Sequence, residues 1–153
     1  MERRDIFGQL EMEEYYWGDA FDVITTGKDI STEGARFELL DKVCGKENLN
    51  CLGAGWKQLT YYEANELLKK ALTYDLAYSS ARLAPDEKVQ FFKDEILKDT
   101  QDTSTYCFTN WSGSPWDIEQ GGSWNPLTKN TFDMGIVFLT PAKLIFAYFI
   151  SED

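Results

Sequence analysis

Apolar and polar residues follow two rhythms along the chain, and the change of rhythm divides it. Between residues 31 and 98 the apolar positions recur every three or four residues, the spacing that lines one face of a helix. Three helices are predicted there. In the first, Ser31 or Thr32 caps, Phe37, Leu40, Val43 and Cys44 form the inner stripe, Lys42 lies in the last turn and Gly45 supplies the stop. The second opens on Thr60-x-x-Glu63, a pair whose hydroxyl and carboxylate satisfy backbone N–H groups left over at a helix start. Its stripe of Ala64, Leu67, Leu68, Ala71 and Leu72 runs on toward Tyr78. The third begins at Pro85, with Asp86 and Glu87 at its positive end, Lys98 near its negative end, and Val89, Phe92 and Ile96 inward.

After residue 104 the period shortens. Thr105 to Trp111 alternates like a strand, and Phe132–Leu139 and Leu144–Ile150 flank Thr140-Pro141-Ala142-Lys143, a turn with proline second. Both flanking runs are apolar on both faces, which implies strands covered on two sides. Near the start, Gly18-Asp19 stands between two β-prone runs within Glu11–Ile24 and predicts a short hairpin. With no repeat or linker, residues 1–153 read as a single α+β domain: an antiparallel sheet of three to five strands with about three helices packed on it.

Composition adds a sign to this picture. With 43% hydrophobic and 15% aromatic residues the chain can fill a core. It carries 15 Lys and Arg against 26 Asp and Glu, a formal net charge of −11, and has no histidine to change that near neutrality. Such a surface repels phosphate backbones and anionic membranes, so neither direct nucleic-acid binding nor membrane binding is expected. It either steers a basic partner inward or serves only solubility. The longest apolar stretch, Leu144–Ile150, falls short of the ~20 residues of a membrane span, and no apolar run follows Arg3-Arg4, so a secretory signal is not expected. Cys44, Cys51 and Cys107 are an odd number, which favours reduced thiols and a cytoplasmic setting.

The chemistry-bearing motifs are sparse. Without histidine, mechanisms that pass through imidazole are excluded. Gly53-Ala54-Gly55-Trp56 lacks the third glycine of a dinucleotide loop, Asp99-x-x-Asp102 does not follow calcium-loop spacing, and the cysteines form no Cys-x-x-Cys pair. No cofactor, metal or catalytic set is expected. Three features remain. Trp111, Trp116 and Trp124, with Asp117 and Glu119, occupy an irregular stretch. Its rings either anchor a protein interface, stack sugars beside an Asp117/Glu119 acid–base pair, or fold inward as a small core. Asp75 falls on the apolar stripe of the second helix; it is a perturbed acid in a cleft, or it pairs with Arg36 or Arg82, or the helix bends out into solvent before it. Finally Glu11, Glu13, Glu14, Asp19 and Asp22 interleave with Tyr15, Tyr16 and Trp17, the mixture of charge and flat rings found in binding hot spots, or else an ordinary solvated hairpin.

Three stretches give the chain a family likeness: Tyr16-Trp17-Gly18-Asp19-Ala20-Phe21-Asp22-Val23-Ile24, the segment from Gly122 to Phe138, and the acidic close Phe149-Ile150-Ser151-Glu152-Asp153. In these it resembles the stand-alone immunity proteins of bacterial toxin–immunity pairs. The resemblance implies a cytoplasmic antitoxin that neutralises a cognate, basic, nuclease-like toxin domain by covering its active or substrate-binding surface. Glu11, Glu13, Glu14, Tyr16, Trp17, Asp19, Asp22, Trp111, Trp116, Asp117, Glu119 and Trp124 are the expected partner-binding residues. The competing expectation is a small carbohydrate-binding or carbohydrate-active protein built on the 111–124 loop.

Overall fold

The structure, a computed structural model, describes residues 2–117, 119 and 121–152; Ile118 and Gln120 of the tryptophan-rich stretch and Asp153 of the acidic close lie outside the described residues. Among these, the helices are α1 (Gln9–Tyr15), α2 (Glu33–Lys46), α3 (Tyr61–Thr73) and α4 (Asp86–Leu97). The strands are β1 (Arg3–Asp5), β2 (Gly18–Ile24), β3 (Lys57–Leu59), β4 (Tyr106–Thr109), β5 (Trp111–Gly113), β6 (Gly122–Trp124), β7 (Phe132–Leu139) and β8 (Lys143–Ser151). Among the described residues six strands form one antiparallel sheet in the order β1-β2-β8-β7-β4-β3, and β5 pairs with β6 separately. The class is α+β as expected. The sheet is one strand wider than the upper expectation because its edge strands, β1 and β3, have three residues each, too few to show an alternation.

The continuous apolar runs are explained by a three-layer arrangement. On β7 the side chains of Met134, Ile136 and Phe138 join a core with α1, α3 and α4, while Val137 and Leu139 join a second core with α2. On β8, Ile145, Ala147 and Phe149 face the first core and Leu144 and Phe146 the second. Period-2 alternation therefore persists, but both faces are dry.

Helix signals act largely where the sequence puts them. The Thr32 hydroxyl accepts from Ala35 N at 3.1 Å, and Thr60 and Glu63 form the reciprocal cap of α3. Three expectations need correction. Gly45 lies inside α2, which continues to Lys46; the chain leaves through Asn48 at φ 58, the left-handed position that asparagine tolerates. The 11–24 hairpin does not form. Gln9–Tyr15 is made of good helix formers, and Met12 and Tyr16, four residues apart, are both buried in the first core. Gly18 opens β2 instead of turning the chain. And α3 stops at Thr73, five residues before Tyr78.

The cysteines are free thiols, Cys44 and Cys107 buried and Cys51 exposed. Burial pushes Cys44 and Cys107 up to about 12 from 9.0. A proton held more tightly in the folded chain stabilises it fully below pH ~9, and that contribution is lost as pH rises toward about 12. A thiol reagent at about pH 8 is therefore expected to label Cys51 alone in the native protein and all three cysteines in denaturant; native labelling of all three would contradict this packing. Leu68, fully buried on α3, is expected to cost about 2–5 kcal/mol when truncated to alanine, read from urea unfolding; an unchanged midpoint would contradict the register of α3.

Candidate functional site

A cleft of roughly 370 Å³ opens where the end of α1, the start of β2, the end of β8 and the segment following α3 meet. Its first wall comes from Tyr15-Tyr16-Trp17. Tyr16 leaves α1 in extended conformation, φ −132 and ψ 139, so adjacent side chains point to opposite sides. Tyr16 turns inward: its hydroxyl donates to the Leu72 carbonyl at 2.8 Å, and its ring packs edge-on against Phe92 and Phe149. Burial pushes its phenol well above the usual range. Trp17 turns outward and is 64% exposed.

Gly18 makes this geometry possible. It sits at φ 141, where L side chains are strained, and a Cβ there would lie 2.0 Å from the Tyr148 carbonyl oxygen. Only glycine lets β2 approach β8 so closely. One residue earlier, the Trp17 carbonyl accepts from Ile150 N at 2.9 Å, holding the tryptophan's backbone to the end of β8.

The second wall follows α3. Tyr74 is extended (φ −125, ψ 149), which takes Asp75 off the helical stripe. The Asp75 carboxylate accepts from Ala77 N at 2.9 Å and Tyr78 N at 2.8 Å, and the Ser151 hydroxyl donates to it at 3.0 Å. Asp75 thus pairs with neither Arg36 nor Arg82; α3 ends before it, and instead of bending into solvent the chain holds the half-buried carboxylate between the 77–78 amides and Ser151. Arg82 pairs with Asp86 and lies 5.9 Å from the Tyr74 ring centroid, while Arg36 donates to the Ile30 carbonyl and covers Tyr106 at 4.1 Å. Asp75 clamps the 74–78 turn to β8, leaving Tyr78 59% exposed at the rim.

The lining is anionic. Glu13, Glu14, Asp75 and Glu152 contribute carboxylates, and no described lining residue is basic. Glu13 accepts from the Gln9 amide, and Glu152 accepts from the amide and hydroxyl of Thr131.

The residues singled out in the N-terminal stretch divide into three groups. Glu13, Glu14, Tyr16 and Trp17 come together in the cleft, with Tyr16 serving as its floor. Glu11 is exposed but outside the lining. Asp19 and Asp22 are structural: Asp19 meets Arg3 at 2.7 Å, and Asp22, with a side chain only 5% exposed, meets Arg4 at 2.6 Å and Lys143 at 3.6 Å. Their charge is answered within the fold.

The tryptophan-rich stretch resolves toward the inward arrangement. Trp111 is 2% exposed, donates from Nε1 to the Asp133 carbonyl at 2.7 Å, and stacks on Trp124 with centroids 4.5 Å apart. Trp124 also stacks on Phe132, and Trp116 is half-buried against the same core. Beneath them the fully buried Asp133 carboxylate accepts from Asn110 Nδ2, the amides of Leu127 and Thr128, and the Thr128 hydroxyl. These neutral donors hold the loop down. Trp111 is therefore a core residue, its ring stacked on that of the half-buried Trp124. Asp117 accepts from Glu119 N at 3.2 Å, an ordinary turn contact.

Sequence reading did not reach Tyr74, Tyr78 or the cleft-facing end of β8. A signal existed in Asp75 itself, since an aspartate readily accepts from amides two or three residues on and so marks a turn. A broader depression of roughly 920 Å³ lies at the other end of the sheet, around Lys28–Ser31, Gln58–Tyr61 and Asp102–Tyr106. It mixes both charge signs with hydroxyls, and Thr60 and Glu63 there are already engaged in capping. Among the described residues no group of three or more His, Cys, Asp or Glu is placed to hold a metal, and no helix is long and apolar enough to cross a membrane.

No protein-family model, curated protein or solved structure matches the chain.

Gly18→Ala is expected to lower stability by about 2–4 kcal/mol in urea unfolding. Gly27, also at positive φ but with open space around it, should cost only about 1 kcal/mol on the same change. Equal losses at the two positions would contradict the close approach at Tyr148.

Proposed function

We propose that this protein is an acidic binding protein that neutralises a cognate basic toxin domain in the cytoplasm by covering its active or substrate-binding surface. The observation that carries the reading is the cleft: projecting Trp17 and Tyr78 rings beside Glu13 and Glu14, with no basic residue in the described lining, on a chain of net charge −11. Flat rings supply contact area at small entropic cost, and surrounding carboxylates steer a cationic surface toward them. The resemblance to toxin-immunity proteins supports the identity of that surface as a toxin's. A carbohydrate site on the 111–124 loop has less support, because Trp111 and Trp124 cover one another.

The test is co-purification with the C-terminal domain of the polypeptide encoded immediately upstream. The expected result is a complex that weakens as salt rises; no association at low salt would contradict the reading. Glu13→Lys combined with Glu14→Lys is expected to slow association by about tenfold at low ionic strength while the fold persists by circular dichroism. An unchanged on-rate would place the contact elsewhere.

A further inference from the structure

The cleft is too small for a helix or a strand of a partner and large enough for one long side chain: its roughly 370 Å³ lies near the lower end of the range for small-ligand sites, about 300–1,000 Å³. Its walls offer two kinds of group at once. Trp17, Tyr74 and Tyr78 present ring surface, and Glu13, Glu14 and Glu152 present carboxylate oxygens. An occupant that satisfies both must be flat, apolar on its faces and positively charged at its edges. Guanidinium has that combination; an ammonium, compact and strongly hydrated, does not.

Resting on the binding reading above, we propose that the cleft is the seat for a single arginine side chain of the protein partner, its guanidinium against the rings and paired with the carboxylates. The molecule already makes this contact at the cleft's edge, where its own Arg82 lies over Tyr74 while paired with Asp86. Arg3 over Phe21, joined to Asp19 and Glu47, repeats it elsewhere, and Arg36 over Tyr106 repeats the ring contact. The occupant belongs to a protein, not to a free amine: Trp17 and Tyr78 stand 64% and 59% exposed, so covering them takes a surface wider than the cleft itself. Charge complementarity selects arginine within a basic surface.

The experiment uses the full chain and three capped tripeptides, acetyl-Gly-X-Gly-amide, with X arginine, lysine or citrulline, the last being the neutral isostere of arginine. Binding is followed by the Trp17 indole N–H and Ile150 amide resonances, the indole being identified by its loss in Trp17→Phe. The arginine peptide is expected to shift both resonances, with citrulline at least about tenfold weaker and lysine intermediate. Glu14→Gln is expected to weaken arginine binding, and Glu11→Gln, outside the lining, to leave it unchanged. Equal responses to arginine and citrulline, lysine binding as tightly as arginine, or shifts confined to residues 28–31 would overturn the proposal. The two readings fail separately. If the upstream-encoded domain still binds, Trp17→Ala binds it as tightly as wild type and the arginine peptide moves neither resonance, the seat is lost and the binding reading stands. If that domain does not bind at all, the binding reading itself is lost.

Discussion

The close approach of Gly18 to the Tyr148 carbonyl sets the positions of most of what matters in this molecule. It fixes the register of β2 on β8, and with it the face to which each β2 side chain points: Ala20 to the core under α1, α3 and α4, Phe21 and Val23 to the core under α2. A slip of one residue would exchange the two faces and place Asp22, now paired with Arg4 and Lys143, on the wrong side of the strand. The same register leaves Trp17 just outside the sheet, with its backbone tied to Ile150 and its ring in solvent.

Two ion-pair clusters and one hydrogen-bonded carboxylate then close the fold around that pairing. Arg3 lies over Phe21 while bridging Asp5, Asp19 and Glu47, joining β1 and β2 to the end of α2. Arg4, Asp22, Lys143 and Asp99 join β1, β2 and β8 to the segment after α4, and Lys143 holds Asp99 below the usual carboxylate range. Asp75, by its bonds to the 77–78 amides and Ser151, brings the turn after α3 to the end of β8. The acids thus do two jobs. Asp19, Asp22, Asp75 and Asp133 are consumed in building, while Glu13 and Glu14 stay at the surface, where a field can act on an approaching partner.

The helices from residue 33 to 97 and the β7–β8 hairpin were legible because each is long enough to repeat its own period and carries its cap or turn residues. Thr60 with Glu63, Pro85 with Asp86 and Glu87, and Pro141 are local chemistry, decided within a few residues of themselves. The failures are non-local. A glycine beside an aspartate usually marks a turn; that Gly18 instead admits a carbonyl 130 residues later in the chain has no local mark. Tyr74, Asp75 and Tyr78 fit a continued helix well enough, and the early stop is held by the Asp75 turn onto the 77–78 amides together with Ser151 from the far end of the sequence. For the tryptophans the sequence left the question open, and the buried Asp133 carboxylate, gathering Asn110, Leu127 and Thr128 beneath them, decides it inward. Of the cleft, the cluster Glu13, Glu14, Tyr15, Tyr16 and Trp17 is visible in the sequence; the second wall is not.

The proposed function rests on one physical interaction, the docking of a cationic protein on the ring-lined anionic cleft. Hydrogen–deuterium exchange of the chain, alone and with a saturating amount of the upstream-encoded basic domain, tests it most directly. The account predicts new protection at residues 13–17, 74–78 and 149–152 and none around 28–31 and 102–106. Protection confined to the second set, or to the 111–124 loop, would contradict it.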